Sequence, residues 1–229
     1  MTQGIATLLS RNHVGATVLQ LVVTEFGAGR LGVAWSDPKE KEPETAAIVR
    51  RALRGAAVGA SAAVITLGAT LSLHLATLEF VSPSVSTLFV GAVVAVFGAA
   101  KDELLLRGLV LRALGPNADL RMRLAITALA GAAAAYGAGA TPFGIAASAA
   151  LAVAMTALWI EDRGAWIAVG AHAALNILLG PVLTGGLMDV RMSAKAPIEE
   201  GPVALVVFAA IAAFTLRRAL RVEARRAEK

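Results

Sequence analysis

Two pairs of polar residues have the types and the spacing needed for chemistry, although each lies in an apolar stretch. Glu103 and Arg107 are four residues apart in "KDELLLRGLVL", and His172 and Asn176 are four apart in "AHAALNILLG". Residues four apart share a helix face, and an acid that precedes a base in this register favours an ion pair. Because charges are expensive inside a membrane, we expect both pairs to point into a helix bundle.

Each pair has a simpler interpretation when it is taken alone. Glu103 and Arg107 could neutralise each other near the cytoplasmic interface. A single histidine in a helix is more often structural than catalytic, and Asn176 could hydrogen-bond a neighbouring helix. The presence of both pairs in one chain favours a functional site.

The composition is that of a membrane protein. The chain has 229 residues, of which 57% are hydrophobic, and its mean hydropathy is +0.71. It contains no cysteine, which excludes disulfides, thiolate metal sites and a cysteine nucleophile. The net charge of +5 comes from basic residues beside apolar segments, with no pattern of a nucleic-acid groove. We therefore expect the bilayer, and no nucleic acid, as a partner.

The pattern predicts an all-α fold, a polytopic membrane helix bundle with about six transmembrane helices. The predicted spans are residues 55–78, 84–100 continuing through the charged stretch, 121–139, 143–160, 164–183 and 201–217. Arginine clusters occur at every second connection, which the positive-inside rule assigns to the cytoplasm. The sequence thus predicts a multi-pass protein of the cell (inner) membrane with both termini in the cytoplasm.

Three domains are predicted from the charge pattern. Residues 1–48 are an N-terminal interfacial or protein-packed segment with a charged linker, residues 49–217 are the transmembrane domain, and residues 218–229 are a basic cytoplasmic tail. The stretch "LMDVRMSAKAPIEEG", at residues 187–201, is interpreted as a solvated connector outside the membrane.

Small and aromatic residues give further expectations. Trp159 and Trp166 flank the short loop "IEDRGA", where indole rings favour the headgroup level. Gly55 with Gly59 predicts a close helix contact, because lipid provides no hydrophobic drive and small residues let backbones approach. The series Gly131, Ala135 and Gly139 predicts another such contact.

Two motifs are similar to those of the CAAX protease and bacteriocin-processing membrane endopeptidases. "DELLLRG" resembles the EExxxR motif of that family, and "HAALN" matches its HxxxN motif. The resemblance extends over residues 50–217 and implies an intramembrane endopeptidase fold that acts on membrane-associated proteins or peptides.

The resemblance also implies a role for each motif residue. In the family, the first glutamate and a histidine on the next helix activate water, the second glutamate and the arginine organise the site, and the HxxxN pair stabilises an oxyanion. Carried over by motif, Asp102 takes the general-base position. Glu103 and Arg107 take the organising positions, and His172 and Asn176 take the oxyanion positions.

The chain departs from the family pattern at both water-activating positions. The FxxxH motif has no histidine here, and Tyr136 is the best match by spacing. A phenol with a pKa of about 10 stays protonated at neutral pH, whereas imidazole, near 6.5, can accept a proton. Asp102 is one methylene shorter than glutamate, and a base must reach the proton that it removes. His74 is expected at the far membrane face and is a poor substitute.

Three functions remain open on the sequence. The first is an impaired or inactive protease that binds a membrane protein or peptide, alone or with a competent protease relative. The second is an active endopeptidase with Asp102 as its base, and the third is a small carrier or channel. We expect no cofactor and no metal, because a carboxylate base needs none and Glu103 and His172 lack a recognised ligand spacing.

Overall fold

The computed structural model describes residues 2–36, 43–115, 118–193 and 197–227, without the side chains of residues 2–13, 223 and 225–227. Most of the charged linker, the middle of the 187–201 connector and the last two residues of the tail lie outside these ranges. The helices are α1 Thr2–Arg30, α2 Thr45–Ser72, α3 Val85–Glu103, α4 Val110–Leu114, α5 Leu120–Gly137, α6 Pro142–Asp162, α7 Trp166–Ile177 and α8 Pro202–Ala227.

Two π-helical turns extend these helices. Leu104–Leu109 joins α3 to α4, and Leu178–Val182 continues α7. Strands β1 Ala76–Phe80 and β2 Met188–Met192 form the one sheet within the described ranges, and Ile198–Glu200 is a 3₁₀ turn. The prediction of an all-α membrane helix bundle is confirmed.

Helices occupy all six positions where spans are predicted. Among the described residues, three helical segments are long and apolar enough to cross a bilayer: α2, α6 and Pro202–Val222 of α8. The stretch Trp166–Val182 is apolar but shorter. The bundle therefore combines three long apolar helices with shorter or more polar ones, among them α3.

Short polar side chains fix where several helices begin. Ser84 Oγ accepts a hydrogen bond from the Thr87 backbone N–H at the start of α3. Asp119 does the same for Met122 at the start of α5, and Thr141 for Gly144 at the start of α6. Such caps satisfy backbone donors that have no partner within the helix.

Glycines allow α2 and α7 to lie in direct backbone contact. A Cβ on Gly55 would overlap the Ile167 carbonyl oxygen, and one on Gly59 would overlap that of Ala171. The predicted close contact through these two glycines is confirmed.

On α5, Gly131 approaches the Ala152 side chain of α6. Gly139 does not continue this series, because it lies in the turn after α5 with φ +79°. The prediction is therefore wrong for Gly139, since α5 has already ended at Gly137.

The first span is shorter than predicted, and the connector at 187–201 contains a strand. α2 ends at Ser72, and His74 turns the chain with φ 56°. β1 then pairs antiparallel with β2, so that Thr77 faces Arg191. Both segments alternate apolar and polar residues, which favours strands, and the partner lies over 100 positions away in sequence.

The bundle has one basic and one acidic-rich end. At the basic end, Arg51 Nη1 lies 3.4 Å from Asp162 Oδ1. There, Arg54 and Arg218 both bind Glu161 Oε1, at 3.2 and 2.6 Å. The opposite end carries the sheet and the acidic turn that precedes α8. These ion pairs join α2, α6 and α8 where their arginine clusters meet.

α1 runs parallel to α3. Lys101 Nζ lies 3.4 Å from Gln20 Oε1, and Arg112 Nε donates to the Leu31 carbonyl, also at 3.4 Å. The contacts advance along both segments in the same direction. The start of α1 therefore lies at the opposite end of the bundle from the arginines of α8. Which membrane face each terminus occupies stays a prediction.

Candidate functional site

Glu103 is the centre of a buried polar cluster. Its side chain is 0% exposed, and its carboxylate forms two hydrogen bonds and one ion pair with partners from three parts of the chain. Trp159 Nε1 donates to Oε2 at 2.9 Å, His172 Nδ1 lies 2.9 Å from Oε1, and Arg107 Nη1 lies 3.3 Å from Oε1. A buried carboxylate is tolerated only when it is paired in this way.

The π-helical turn that follows Glu103 shapes the cluster. Arg107, on this turn, is buried at 3% exposure and forms the predicted ion pair with Glu103. The next residue is Gly108, where a Cβ would lie 3.2 Å from the Trp159 ring. π-helical turns are frequent at functional sites, because the extra residue changes the direction of the side chains.

α7 brings His172 to Glu103 from the opposite side. The close contact of α7 with α2 fixes this helix, and His172 is buried, with its ring against Glu103 of α3. A carboxylate only accepts hydrogen bonds, so this geometry assigns the proton of the contact to Nδ1. The structure thus joins the two predicted polar pairs through one member of each.

Asp102 does not join this cluster. Its side chain is 36% exposed and lies 3.4 Å from Lys101 Nζ, which also contacts Gln20 of α1. Consecutive residues on a helix point about 100° apart, so Glu103 and Asp102 face different neighbours. Asp102 therefore lies beside the cluster, on the α1 side.

Asn176 lies one helical turn beyond His172 on α7 and is half-buried. Within the described ranges, no hydrogen bond connects it to Glu103 or His172. The two residues share a helix face, as the spacing predicts. Of this pair, only His172 contacts Glu103.

Tyr136 is far from the cluster. Its side chain is 75% exposed, near the end of α5. α5 and α6 are antiparallel, and Thr156 Oγ1 donates to Thr127 Oγ1 between them at 2.9 Å. Tyr136 lies nine residues beyond Thr127, about 14 Å along the helix, whereas Trp159 lies in the opposite direction. The structure does not bring Tyr136 to Glu103.

The residues before α2 cover the basic end of the site. Trp35 stacks on Trp166 with ring centroids 5.2 Å apart, and its carbonyl accepts a hydrogen bond from Ala165. Leu21 of α1 packs with Leu104, next to Glu103. The N-terminal segment thus separates the cluster from its surroundings on this side.

Comparison with known families shows what the segment around the cluster is similar to. Residues 83–178 match the family model described as Type II CAAX prenyl endopeptidase Rce1-like. The matched segment is less than half of the 229-residue chain, and it is similar to the CAAX prenyl endopeptidases. No curated protein and no solved structure matched the chain in the same comparison. The matched segment runs from the residues before α3 into the π-helical turn after α7, and so includes all six motif positions.

Trp159 is a member of the cluster that sequence reasoning missed. We predicted its ring at the headgroup level, but it is 8% exposed and its indole N–H is directed at Glu103. A buried indole N–H needs an acceptor, and a carboxylate in an apolar helix needs donors. That mutual need is the one signal in the sequence for this contact.

The cluster resembles a structural ion-pair network more than a set of free catalytic groups. Its carboxylate is already engaged by a guanidinium, an imidazole and an indole. Within the described ranges, no group of three or more histidine or acidic side chains is placed to hold a metal ion. The arrangement can fix α3, α6 and α7 relative to one another and hold a charged centre at low exposure.

Proposed function

We propose that this CAAX protease-like membrane protein is an impaired or inactive protease that binds a membrane protein or peptide without cutting it. The observation that carries the proposal is the engagement of the Glu103 carboxylate by Arg107, Trp159 and His172. A general base must accept a proton from a water within hydrogen-bond reach. Glu103 is fully buried, is hydrogen-bonded to Trp159 and His172 and is ion-paired with Arg107, so it is poorly placed for that task.

The two water-activating positions of the family support the same proposal. Asp102 is paired with Lys101, outside the cluster, and Tyr136 is exposed near the other end of α5. Activating a water needs both groups within about 3 Å of one oxygen atom. Their separation argues that the protein retains the fold of the family without its first chemical step.

The proposed orientation follows from the charge distribution. The basic end, with Arg51, Arg54 and Arg218, faces the cytoplasm under the positive-inside rule. Asp102 and Glu103 then lie towards the cytoplasmic half of the membrane. A peptide that reaches the cluster would enter from that side, past α1 or the residues that follow it.

A photo-crosslinking experiment tests binding without turnover. The purified protein, in liposomes, receives a farnesylated peptide that ends in a CAAX sequence and carries a diazirine group. We expect a crosslinked adduct that contains the intact peptide, and competition by unlabelled peptide. Adducts that lack the C-terminal residues would instead favour an active endopeptidase with Asp102 as its base. If no specific adduct forms, the binding role is contradicted.

A further inference from the structure

An apolar groove lies between α2 and α8 on the outer surface of the bundle. Its volume is about 600 Å³. Residues from both helices line it: Ala57, Ser61 and Ile65 of α2, and Val206, Ala210 and Phe214 of α8. Ile65, Val206 and Phe214 are each more than half exposed. The groove is separate from the Glu103 cluster, which lies between α3, α6 and α7.

The groove continues towards the basic end of the bundle. A second depression on α2, lined by Val49, Arg50, Leu53 and Arg54, meets the first at Ala57. Arg50, Arg54, Ala57, Ser61 and Ile65 follow the three- and four-residue spacing of one helix face. One continuous apolar surface therefore runs along α2 and ends at two arginines.

The length of this surface matches one membrane leaflet. Arg54 and Ile65 are eleven residues apart, which corresponds to about 16 Å of helix. Half of the hydrocarbon core of a bilayer is about 15 Å thick. A chain that starts at Arg54 and follows the groove would therefore end near the bilayer centre.

The positive charge at the arginine end of this surface favours an anionic ligand. Arg54 and Arg218 share a single carboxylate, Glu161, so this ion-pair cluster has a net positive charge. Arg50 is exposed one turn closer to the basic end. Phosphate groups pair well with guanidinium side chains, and basic pockets between helices on the cytoplasmic side bind anionic headgroups.

We propose that this groove binds one anionic phospholipid of the cytoplasmic leaflet. One acyl chain lies along Ala57, Ser61 and Ile65, and the phosphate lies at Arg50 and Arg54. The proposal does not depend on whether the protein cuts peptides.

Native mass spectrometry of the full chain tests the proposal, with phosphatidylglycerol and phosphatidylcholine of matched acyl chains as probes. Arg50→Gln removes the charge at the headgroup, and Ser61→Phe fills the groove. Two controls match them: Arg121→Gln, an exposed arginine at the same end, and Val64→Phe, an exposed position of α2 that does not line the groove. Circular dichroism establishes that each variant is folded.

We expect the wild type to retain one phosphatidylglycerol in preference to phosphatidylcholine. Arg50→Gln should lower that preference about fivefold, the contribution of one arginine near the membrane surface. Ser61→Phe should lower retention of both lipids, and the controls should behave as the wild type. Equal retention of the two lipids, or an effect of Arg50→Gln without one of Ser61→Phe, would overturn the proposal. A co-purifying lipidated peptide in place of the phospholipid would also overturn it.

Discussion

Trp159, near the end of α6, donates its indole N–H to Glu103 Oε2 at 2.9 Å, across 56 positions of sequence. The contact ties α6 to the junction of α3 with its π-helical turn. Arg107 and His172 both contact the other oxygen of this carboxylate, Oε1. Glu103 and Arg107 of the first motif are therefore held as part of a packed interior.

Trp159→Phe should destabilise the protein by about 1–3 kcal/mol, because it keeps an aromatic ring but leaves a buried carboxylate oxygen without its donor. Reversible unfolding in mixed micelles measures the change. Trp166→Phe is the matched control: its indole N–H donates to Ser36 Oγ at 3.1 Å in a more exposed setting. If the two substitutions lower the free energy of unfolding equally, the contact with Glu103 stabilises the protein no more than the contact of Trp166 with Ser36.

The Glu103–Arg107 pair should be strongly coupled. Glu103→Gln or Arg107→Met alone leaves one buried charge unpaired, and each should cost about 3–5 kcal/mol. The double variant should cost less than the sum of the two by roughly 1–3 kcal/mol. A double-mutant cycle on unfolding free energies measures this difference. Strict additivity would mean that the two side chains do not interact in the folded protein.

Gly59→Ala should destabilise the contact between α2 and α7. The added Cβ would overlap the Ala171 carbonyl oxygen, so the two helices must move apart, at about 1–3 kcal/mol or more. Gly68→Ala, on the same helix, is the control, because no atom lies within 4 Å of its Cβ position. We expect it to be neutral or stabilising by up to about 1 kcal/mol, since alanine favours a helix. Thermal unfolding of both variants distinguishes these outcomes.

The two ends of α5 should lie on opposite sides of the membrane. The chain has no cysteine, so Arg121→Cys and Ala138→Cys each introduce a single thiol at an exposed position. In right-side-out vesicles, an impermeant maleimide should label position 138 and not position 121, and inside-out vesicles should give the reverse. Labelling of both positions from one side would contradict the membrane orientation.

The helical parts of the fold could be predicted from sequence because their signals are local. Apolar runs located the helices, and the spacing of Gly55 and Gly59 identified a backbone contact that the structure contains. The i, i+4 spacing of Glu103 and Arg107 likewise predicts their ion pair. Each of these depends on residues within one helix or on steric size alone.

What could not be predicted depends on contacts between distant segments. β1 and β2 each show a short apolar and polar alternation, but their pairing joins segments more than 100 positions apart. The burial of Trp159 depends on Gly108, and the place of Tyr136 depends on how α5 turns against α6. Motif spacing assigned Tyr136 to a water-activating position, but spacing along one helix does not fix which face meets the site.

Cleavage of a farnesylated CAAX peptide in liposomes is the most direct test of the central claim. The wild type is compared with Asp102→Ala, and with a family member that carries the complete EExxxR, FxxxH and HxxxN motifs as the positive control. We predict that the wild type releases no more C-terminal tripeptide than Asp102→Ala does, while the positive control releases it under the same conditions. Release by the wild type that Asp102→Ala abolishes would contradict the proposal that the protein is an impaired or inactive protease.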